Sequence, residues 1–345
     1  MTFDHTHDGK IEVSMHDYVE MMTQELPQDF IGKARTPAAN HLFKIRDEAE
    51  CVPLDEKKKA TFVRLVMQAL YLSQRARPDI RTAVSFLSTR LQRPDKDDWH
   101  KLGRMIKYLQ ATPDLSLMLE SDGTGKIYWW VDASFAVHMD MKGHTGSCMS
   151  LGKGCIYCDA RKQKINTRSS TEAEQVGVYD TLPQIEWTAR FLKDQGLVVD
   201  TSMLYQDNKS AILLQKNGKL SSSKRTRHMD QRYFYIKDKV DSGEVTIEHC
   251  PTEEMIADFG SKPLPGRLFY YLRDAIMNID PNSPYHSSNQ RSVLRLNETT
   301  HGQDEPGNDS SNSENNISHG NDLNNSENNT SHELKIRTYA DVVKE

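Results

Sequence analysis

The chemistry of this chain centres on four carboxylates, the first of which is Asp132. It follows an apolar stretch within IYWWVDASF that is rich in residues typical of a half-buried strand. An ionised carboxylate in such a setting is costly unless it is paired, hydrogen-bonded or bound to a metal ion. Asp132 therefore either starts the turn after the strand or ligates a metal, and the second alternative needs partners elsewhere in the chain.

A second carboxylate stands near the start of a helix predicted over residues 170–194. In RSSTEAEQ, both Ser169 with Glu172 and Thr171 with Glu174 have the capping-box spacing. The first pairing suits a helix that starts near residue 170. It leaves Glu174 just past the first turn, where capping does not explain it and where it can face a neighbouring strand end.

The third and fourth carboxylates also stand near predicted helix starts. Asp207, in YQDNKSAI, ends a strand and can cap the next helix, although Asn208 can cap that helix equally well. Asp258, in PTEEMIADFGSKPL, is expected in the second turn of a helix capped by Thr252. Its apolar neighbours make a purely solvated role unusual.

Four carboxylates at strand ends and in adjacent helices can converge at one edge of a sheet. Like charges packed together raise one another's pKa and repel, and divalent cations are the usual remedy. Mg²⁺ prefers carboxylate oxygen together with water and phosphate. Two such ions about 4 Å apart can activate a water and stabilise a leaving oxygen at phosphorus. The pattern therefore favours metal-assisted phosphoryl chemistry.

The order of elements predicts an α/β protein in which helices flank a mixed sheet, because antiparallel strands come first and helices then alternate with strands. Strands are predicted at about residues 115–120, 127–133, 144–151, 154–160, 202–206 and 244–250, and further helices at about 208–216, 228–241 and 252–260. Upstream, the apolar periodicity of residues 56–111 predicts three helices with breaks near Pro78 and Pro94. A hairpin and a helix are predicted before them.

The charge is unevenly distributed along a chain whose net charge is −5. Residues 297–333 contain eight acidic residues and no Lys or Arg, whereas residues 142–239 contain 17 Lys and Arg against 10 Asp and Glu. A basic face beside clustered carboxylates indicates a polyanionic ligand, with nucleic acid the favoured class. The segment from 280 to 345 is rich in Asn, Ser and Glu, contains the repeat NSENNISH and NSENNTSH, and is predicted to be a disordered tail.

Several classes of protein are disfavoured by composition. No apolar run approaches the roughly 18 to 20 residues of a membrane helix, and the N-terminus lacks an apolar signal core, so we expect no membrane partner and an intracellular location, cytoplasmic or nuclear. Five cysteines argue against a disulfide framework. Cys155 and Cys158 form a CxxC, but the sequence GKGCIYCDA is typical of a strand and offers no matched second pair, so a structural role is favoured.

The motifs VDASF, RSSTEAEQ, YQDNKSAI, RTRHMDQRYFYIKD and PTEEMIADFGSKPL occur here in the order and spacing of a known family. The chain resembles the ribonuclease H domain of copia-type retrotransposon polyproteins. The upstream segments LYLSQRARPDIRTAVSFLS and RPDKDDWHKLGRMIKYLQAT resemble the last part of the reverse transcriptase in the same polyproteins. The resemblance covers roughly residues 1 to 265. It implies a reverse-transcriptase remnant over residues 1–112, a ribonuclease H-like domain over 113–270, and the tail.

The resemblance also implies roles. Asp132, Glu174, Asp207 and Asp258 would bind two Mg²⁺ ions, with Mn²⁺ as an alternative, and the reaction would be hydrolysis of the RNA strand of an RNA/DNA hybrid. Selectivity would depend on 2′-hydroxyl contacts. An upstream reverse-transcriptase fragment is a further expected partner. The residues expected to contact nucleic acid are Ser134, Lys162, Lys164, Arg168, Asn208, Lys209, Lys224, Arg225, Arg227 and His228.

Some features depart from the family pattern. Pro183 is expected to interrupt the long helix, at a cost of about 3 kcal/mol, and Gly260 stands where the family has a bulkier residue. His249 is the only local candidate for a histidine that assists product release, although it is predicted on a strand. The paired aspartates of a polymerase site are absent, so no DNA synthesis is expected. A catalytically inactive nucleic-acid-binding remnant is the main alternative, and an integrase-type nuclease is a weaker one.

Overall fold

The computed structural model describes residues 1–5, 9–47, 49–217, 230–264 and 266–289. Residues 1–290 form one compact unit. The elements of the first third are β1 (Thr2–Asp4), β2 (Lys10–Ser14), α1 (His16–Gln24), α2 (Glu56–Ser73), α3 (Arg81–Ser88) and α4 (Lys96–Ala111). They are followed by β3 (Leu117–Ser121), β4 (Ile127–Ser134), β5 (His144–Ser150), β6 (Gly152–Lys153), β7 (Tyr157–Lys162) and α5 (Ser170–Asp194). The last elements are β8 (Ser202–Gln206), α6 (Lys209–Asn217), α7 (Asp230–Asp241), β9 (Val245–His249), α8 (Asp258–Ser261) and α9 (Gly266–Met277).

The helices of the first third begin where the sequence predicts. Pro78 opens a short 3-10 turn ahead of α3, and Asp95, which follows Pro94, caps α4. The Asp95 side chain accepts a hydrogen bond from the backbone N–H of Asp98, and the Asp98 side chain accepts one from the backbone N–H of Asp95. This reciprocal capping satisfies two donors that a helix start otherwise leaves unpaired. The adjacent aspartates Asp97 and Asp98 thus belong to a helix start.

A small sheet contains strands from both sides of the predicted domain boundary at residue 112. Its strand order is β1-β2-β3-β6, and all its neighbours are antiparallel. Ile11 of β2 lies opposite Leu119 of β3. The strand predicted at 115–120 therefore belongs to this sheet and lies outside the mixed sheet, because its partner is the N-terminal hairpin. The division of the chain at residue 112 stays a prediction.

The larger sheet has the strand order β7-β5-β4-β8-β9. Strands β4, β5 and β7 are antiparallel neighbours, whereas β8 runs parallel to both β4 and β9. Helix α5 crosses one face, where Trp129, Val131, Val178 and Leu182 belong to one buried core. The predicted α/β class, with a mixed sheet flanked by helices, is confirmed.

The opposite face of this sheet is covered by elements from both ends of the chain. Helix α8 packs on β4 and β5, and helix α3 packs on β7 and on α8. Arg81 of α3 forms an ion pair with Asp159 of β7, with an N···O distance of 2.8 Å. Helix α3, from the first third of the chain, thus belongs to the same layer as α8 and packs against it.

Three local outcomes differ from the sequence predictions. Helix α5 runs without interruption from Ser170 to Asp194, with Pro183 inside it, so the expected break does not occur. The helix predicted over 252–260 is replaced by a 3-10 turn, Thr252–Glu254, and the separate short helix α8. Residues 280–289 of the predicted tail form hydrogen-bonded turns, and residues 290–345 lie outside the described part of the chain. None of the described helices is long and apolar enough to cross a membrane.

Candidate active site

Asp132 lies near the carboxyl end of the central strand β4, opposite Gly146 of β5. Only 5% of the residue is exposed, and the hydroxyl of Ser261 donates a hydrogen bond to its carboxylate. The neighbours of Asp132 are therefore other elements packed on the sheet, and it does not start a turn. This is the position in which a buried carboxylate needs a cation or a donor.

Glu174 faces the same strand end from the first part of α5. Ser169 caps the helix by accepting a hydrogen bond from the backbone N–H of Glu172 at 3.2 Å, and the Glu172 carboxylate accepts one from the backbone N–H of Arg168 at 2.8 Å. Capping thus engages Glu172 and leaves Glu174 to point towards the sheet. Burial, reinforced by the charge of Asp132, raises the pKa of Glu174 well above its usual value.

Asp207 follows the parallel strand β8, and Asn208 takes over the capping role. The Asn208 side-chain oxygen accepts hydrogen bonds from the backbone N–H groups of Ser210 and Ala211, both at 3.1 Å. Asp207 is left free of capping, and its carboxylate accepts a hydrogen bond from the Thr252 hydroxyl at 3.2 Å. Thr252 thus contacts the site directly and does not cap a helix by its side chain. Burial and the charge of Asp132 raise the pKa of Asp207.

Oxygens of Asp132, Glu174 and Asp207 lie within 4.8 Å of one another. The oxygen ligands of one Mg²⁺ ion, bonded at 2.0–2.1 Å, are separated by at most about 4.2 Å. Adjacent ligands of the same octahedral ion lie only about 2.9 Å apart, so a bound ion would draw the three carboxylates closer together. The donor set is oxygen alone, and the pKa values of Glu174 and Asp207 are raised by burial and then by the charge of Asp132, both of which a divalent cation would offset. The residues fit such an ion.

Asp258 lies beside this group of three and not within it. It is the first residue of α8, not part of a second helical turn, and only 3% of it is exposed. The Lys262 ammonium lies 2.8 Å from its carboxylate and 4.0 Å from that of Asp132. Burial, together with the neighbouring Asp132 charge, raises the pKa of Asp258 to about 7. Sequence reasoning missed Lys262 and Ser261, although the spacing of four between Asp258 and Lys262 is a recognisable ion-pair signal.

Two glycines bring α8 close to the sheet. A β-carbon on Gly260 would lie 2.8 Å from the α-carbon of Gly146 and 2.7 Å from the carbonyl oxygen of Asp159. A β-carbon on Gly146 would collide with the backbone of Ala257. Gly260, which departs from the family pattern, is thus matched by Gly146, and the pair lets Asp258 approach Asp132.

The residues expected to contact nucleic acid divide into three groups. Arg168 and Lys209 are exposed near the starts of α5 and α6, and Ser134 is half-buried at the end of β4. Lys162 and Lys164 line a cleft of about 450 Å³ that also includes Arg161 and Tyr179. Asn208 is half-buried and caps α6, as described above. The other four, Lys224, Arg225, Arg227 and His228, lie outside the described residues. His249 is exposed at the end of β9, on a strand as predicted.

Three cysteines lie close together in the structure. The sulfur atoms of Cys148, Cys155 and Cys158 lie within 4.8 Å of one another, since Cys148 of β5 lies opposite Cys158 of β7. All three are free thiols. Cys148 therefore joins the CxxC pair, a proximity that the sequence spacing did not predict. The structural role stays a prediction.

Relatives of the chain are transposon polyproteins. It is 30% identical over 272 residues to the retrovirus-related Pol polyprotein from transposon TNT 1-94 of Nicotiana tabacum, which covers 77% of this chain and 20% of that protein. It is 34% identical over 190 residues to the corresponding polyprotein from transposon RE2 of Arabidopsis thaliana, which covers 54% and 13%. The chain thus spans a fifth or less of the length of these relatives. No protein-family model matches.

A shorter relative is secreted RxLR effector protein 161 of Plasmopara viticola, 30% identical over 141 residues, or 40% of this chain and 99% of that protein. Among solved structures, LC11-RNase H1 from compost is 16% identical, covers 38% of this chain and 87% of that one, and has a TM-score of 0.30. RNase H1 of Halobacterium salinarum NRC-1 is 15% identical, covers 40% and 91%, and has a TM-score of 0.27. These low scores add nothing to the fold assignment.

The chain is thus similar over much of its length to the Pol polyproteins of copia-type retrotransposons, and the predicted resemblance is confirmed. Three antiparallel strands are followed by two parallel ones, and α5 connects the two sets. This agrees with the α/β class, a mixed sheet flanked by helices, that the resemblance implied.

Proposed function

We propose that this chain hydrolyses the RNA strand of RNA/DNA hybrids with the help of divalent cations, Mg²⁺ or alternatively Mn²⁺. The observation that carries the proposal is the convergence of Asp132, Glu174 and Asp207 from two strand ends and one helix start. Glu174 and Asp207 are released from capping, because Ser169, Glu172 and Asn208 cap the two helices. A bound divalent cation supplies positive charge at a phosphate and lowers the pKa of a coordinated water.

The chain's own residues would divide the remaining work. Asp132 is the most central of the carboxylates, since Glu174 and Asp207 both respond to its charge and Asp258 lies against it. Asp207 is only half-buried, so it borders the side from which a nucleic acid strand can approach. The Ser261 hydroxyl fixes the orientation of the Asp132 carboxylate. Geometry of this kind places ligands before substrate arrives, which is how such sites gain rate.

Basic residues on a neighbouring strand lie within reach of the substrate's phosphates. Asp132 of β4 lies opposite Gly146 of β5, which lies opposite Ala160 of β7. Neighbouring strands are about 4.8 Å apart, so the cleft beside Lys162 and Lys164 lies on the order of 10 Å from the carboxylates. A strand carries one phosphate for about every 3.4 Å of helix axis. Phosphates a few positions from the scissile one would therefore reach this cleft.

The test is cleavage of a labelled RNA/DNA hybrid by the full chain, with and without Mg²⁺. We expect metal-dependent cutting of the RNA strand that Asp132→Asn abolishes and Asp194→Asn, an exposed change at the end of α5, leaves intact. Hybrid binding without cutting by the folded wild-type chain would favour the inactive remnant instead. Equal cutting of duplex DNA would favour an integrase-type nuclease.

A further inference from the structure

Lys262 is the cation that lies closest to the candidate active-site carboxylates among the described residues. It follows the last residue of α8 in an extended conformation. Its ammonium lies 2.8 Å from one oxygen of Asp258 and 4.0 Å from one oxygen of Asp132. These two carboxylates have side chains only 4% and 7% exposed, whereas that of Lys262 is 40% exposed. The lysine thus reaches from solvent to two carboxylates that are almost fully buried.

The arrangement divides the four carboxylates into two groups. Oxygens of Asp132, Glu174 and Asp207 form the compact set that fits one divalent ion. Asp258 is not part of this set, and the Lys262 ammonium supplies the positive charge beside it. A lysine ammonium, with an ordinary pKa of about 10.4, carries a positive charge at neutral pH.

We propose that the Lys262 ammonium occupies the second cation position of the site, between Asp258 and Asp132, so that the chain binds one divalent ion tightly and admits a second only when Lys262 moves away. This inference rests on the proposed function, because it takes the first ion to bind Asp132, Glu174 and Asp207. It refines the expectation of two Mg²⁺ ions: the first binds tightly, and Lys262 competes with the second for its position.

The competition follows from charge and distance. Two cations that share the Asp258 carboxylate repel each other within a few ångströms, in a setting where the walls are protein and screening is weak. The Lys262 ammonium can move away from Asp258, because the side chain is long, flexible and partly exposed to solvent. Without the ammonium, the pair of Asp258 and Asp132 would hold a second divalent ion through the same oxygens.

The experiment measures Mn²⁺ binding to the full chain by isothermal titration calorimetry and by the loss of the free-ion electron paramagnetic resonance signal. Neither readout requires cleavage. The variants are Lys262→Met, which keeps the length of the side chain and removes its charge, and Lys237→Met as the control. Lys237 pairs with Asp241 at the same spacing of four residues on α7. Thermal melting of each variant checks that it is folded.

We expect the wild-type chain and Lys237→Met to bind one Mn²⁺ ion tightly and a second one weakly. Lys262→Met should bind the second ion at least about tenfold more tightly, since a neighbouring positive charge has been removed. Two ions of equal affinity in the wild-type chain, or an unchanged second affinity in Lys262→Met, would overturn the role of Lys262 alone. Absence of Mn²⁺ binding in every folded variant would overturn the metal site and with it the proposed function.

Discussion

The hydroxyl of Thr82 donates a hydrogen bond to the backbone carbonyl oxygen of Phe259, the residue that follows Asp258. The two residues are 177 positions apart in the chain, and both are buried. Three positions further along α3, Ser85 donates in the same way to the carbonyl oxygen of Ala160 in β7. Helix α3 thus holds both α8 and the edge of the mixed sheet.

Replacing Thr82 with Val should destabilise the chain, because it keeps the shape and leaves the Phe259 carbonyl oxygen buried without its donor. A buried acceptor that loses its partner costs about 1–3 kcal/mol. Urea unfolding would measure the change, with Thr61→Val as the matched control, since the Thr61 hydroxyl bonds to a backbone carbonyl on an exposed helix surface. An equal loss of unfolding free energy in both variants would show that the hydrogen bond between α3 and α8 stabilises the fold no more than an exposed one does.

A methyl group added at Gly146 should be far more damaging than one added at an open glycine. The β-carbon of Gly146→Ala would collide with the backbone of Ala257 and force α8 away from the sheet. Gly243→Ala meets nothing within 4 Å and suffers only from its positive φ of 75°, a cost of about 1–2 kcal/mol. We expect a larger fall in unfolding free energy for Gly146→Ala, together with weaker Mn²⁺ binding. Equal falls, with metal binding unchanged, would contradict the close packing.

Acid should destabilise the fold through a pair of buried histidines. His138 and His144 share a hydrogen bond of 3.0 Å and pack against Phe43. Burial lowers the pKa of His138 to about 4 and that of His144 to about 3, from 6.5. The unfolded chain therefore takes up protons below pH 6.5 while the folded chain does not. Stability is full above pH 6.5 and falls progressively as the pH drops towards 4.

The size of this acid effect is on the order of 2 kcal/mol for each histidine at pH 5. Lys162 opposes protonation of His138, and Asp140 favours it, without changing the direction. Urea midpoints at pH 7.5 and pH 5 should converge in the double variant His138→Asn/His144→Asn, whereas the exposed change His249→Asn should keep the wild-type difference. A double variant as acid-sensitive as the wild-type chain would assign the effect to other groups.

The Arg77–Asp79 ion pair lies deep in the first third of the chain, with side chains 1% and 0% exposed. The guanidinium makes two hydrogen bonds to Asp79, at 2.9 and 2.8 Å, and the Tyr108 hydroxyl donates a third at 2.7 Å. Asp79→Ala would leave an uncompensated buried charge, so we expect a loss of about 3–5 kcal/mol. Asp241→Ala, which breaks an exposed pair, should change stability by less than about 1 kcal/mol. Chemical unfolding measures both, and similar values would refute the distinction.

Much of the fold was predictable because local signals and tertiary packing agree. The bounds of α5 and β8 match the predicted 170–194 and 202–206, since Ser169 caps the helix and a short apolar run forms the strand. Capping arithmetic also distinguished Glu174 from Glu172 before any geometry was known. These are properties of a few neighbouring residues, which a sequence displays directly.

The failures involve partners distant in sequence. Strand β3 pairs with β2, more than a hundred positions away, and no local pattern states which sheet a strand joins. The helix predicted over 252–260 does not form as one element. The Thr252 side chain donates to Asp207 and does not cap a helix, and Gly260 lies against Gly146. Lys262 was overlooked since its role appears only when Asp132, from another strand, is placed beside it.

The pairing of β3 with β2 determines what happens when the N-terminal hairpin is removed. A version beginning at residue 15 would retain every candidate ligand yet strip β3 of its partner along Leu117–Glu120, because β6 pairs with the opposite edge of β3 and cannot replace β2. Exposed strand edges present unpaired N–H and C=O groups and recruit other strands. We therefore predict that such a shortened protein self-associates, which size-exclusion chromatography would reveal as higher-mass species, whereas a purely monomeric profile would show the N-terminal hairpin to be dispensable.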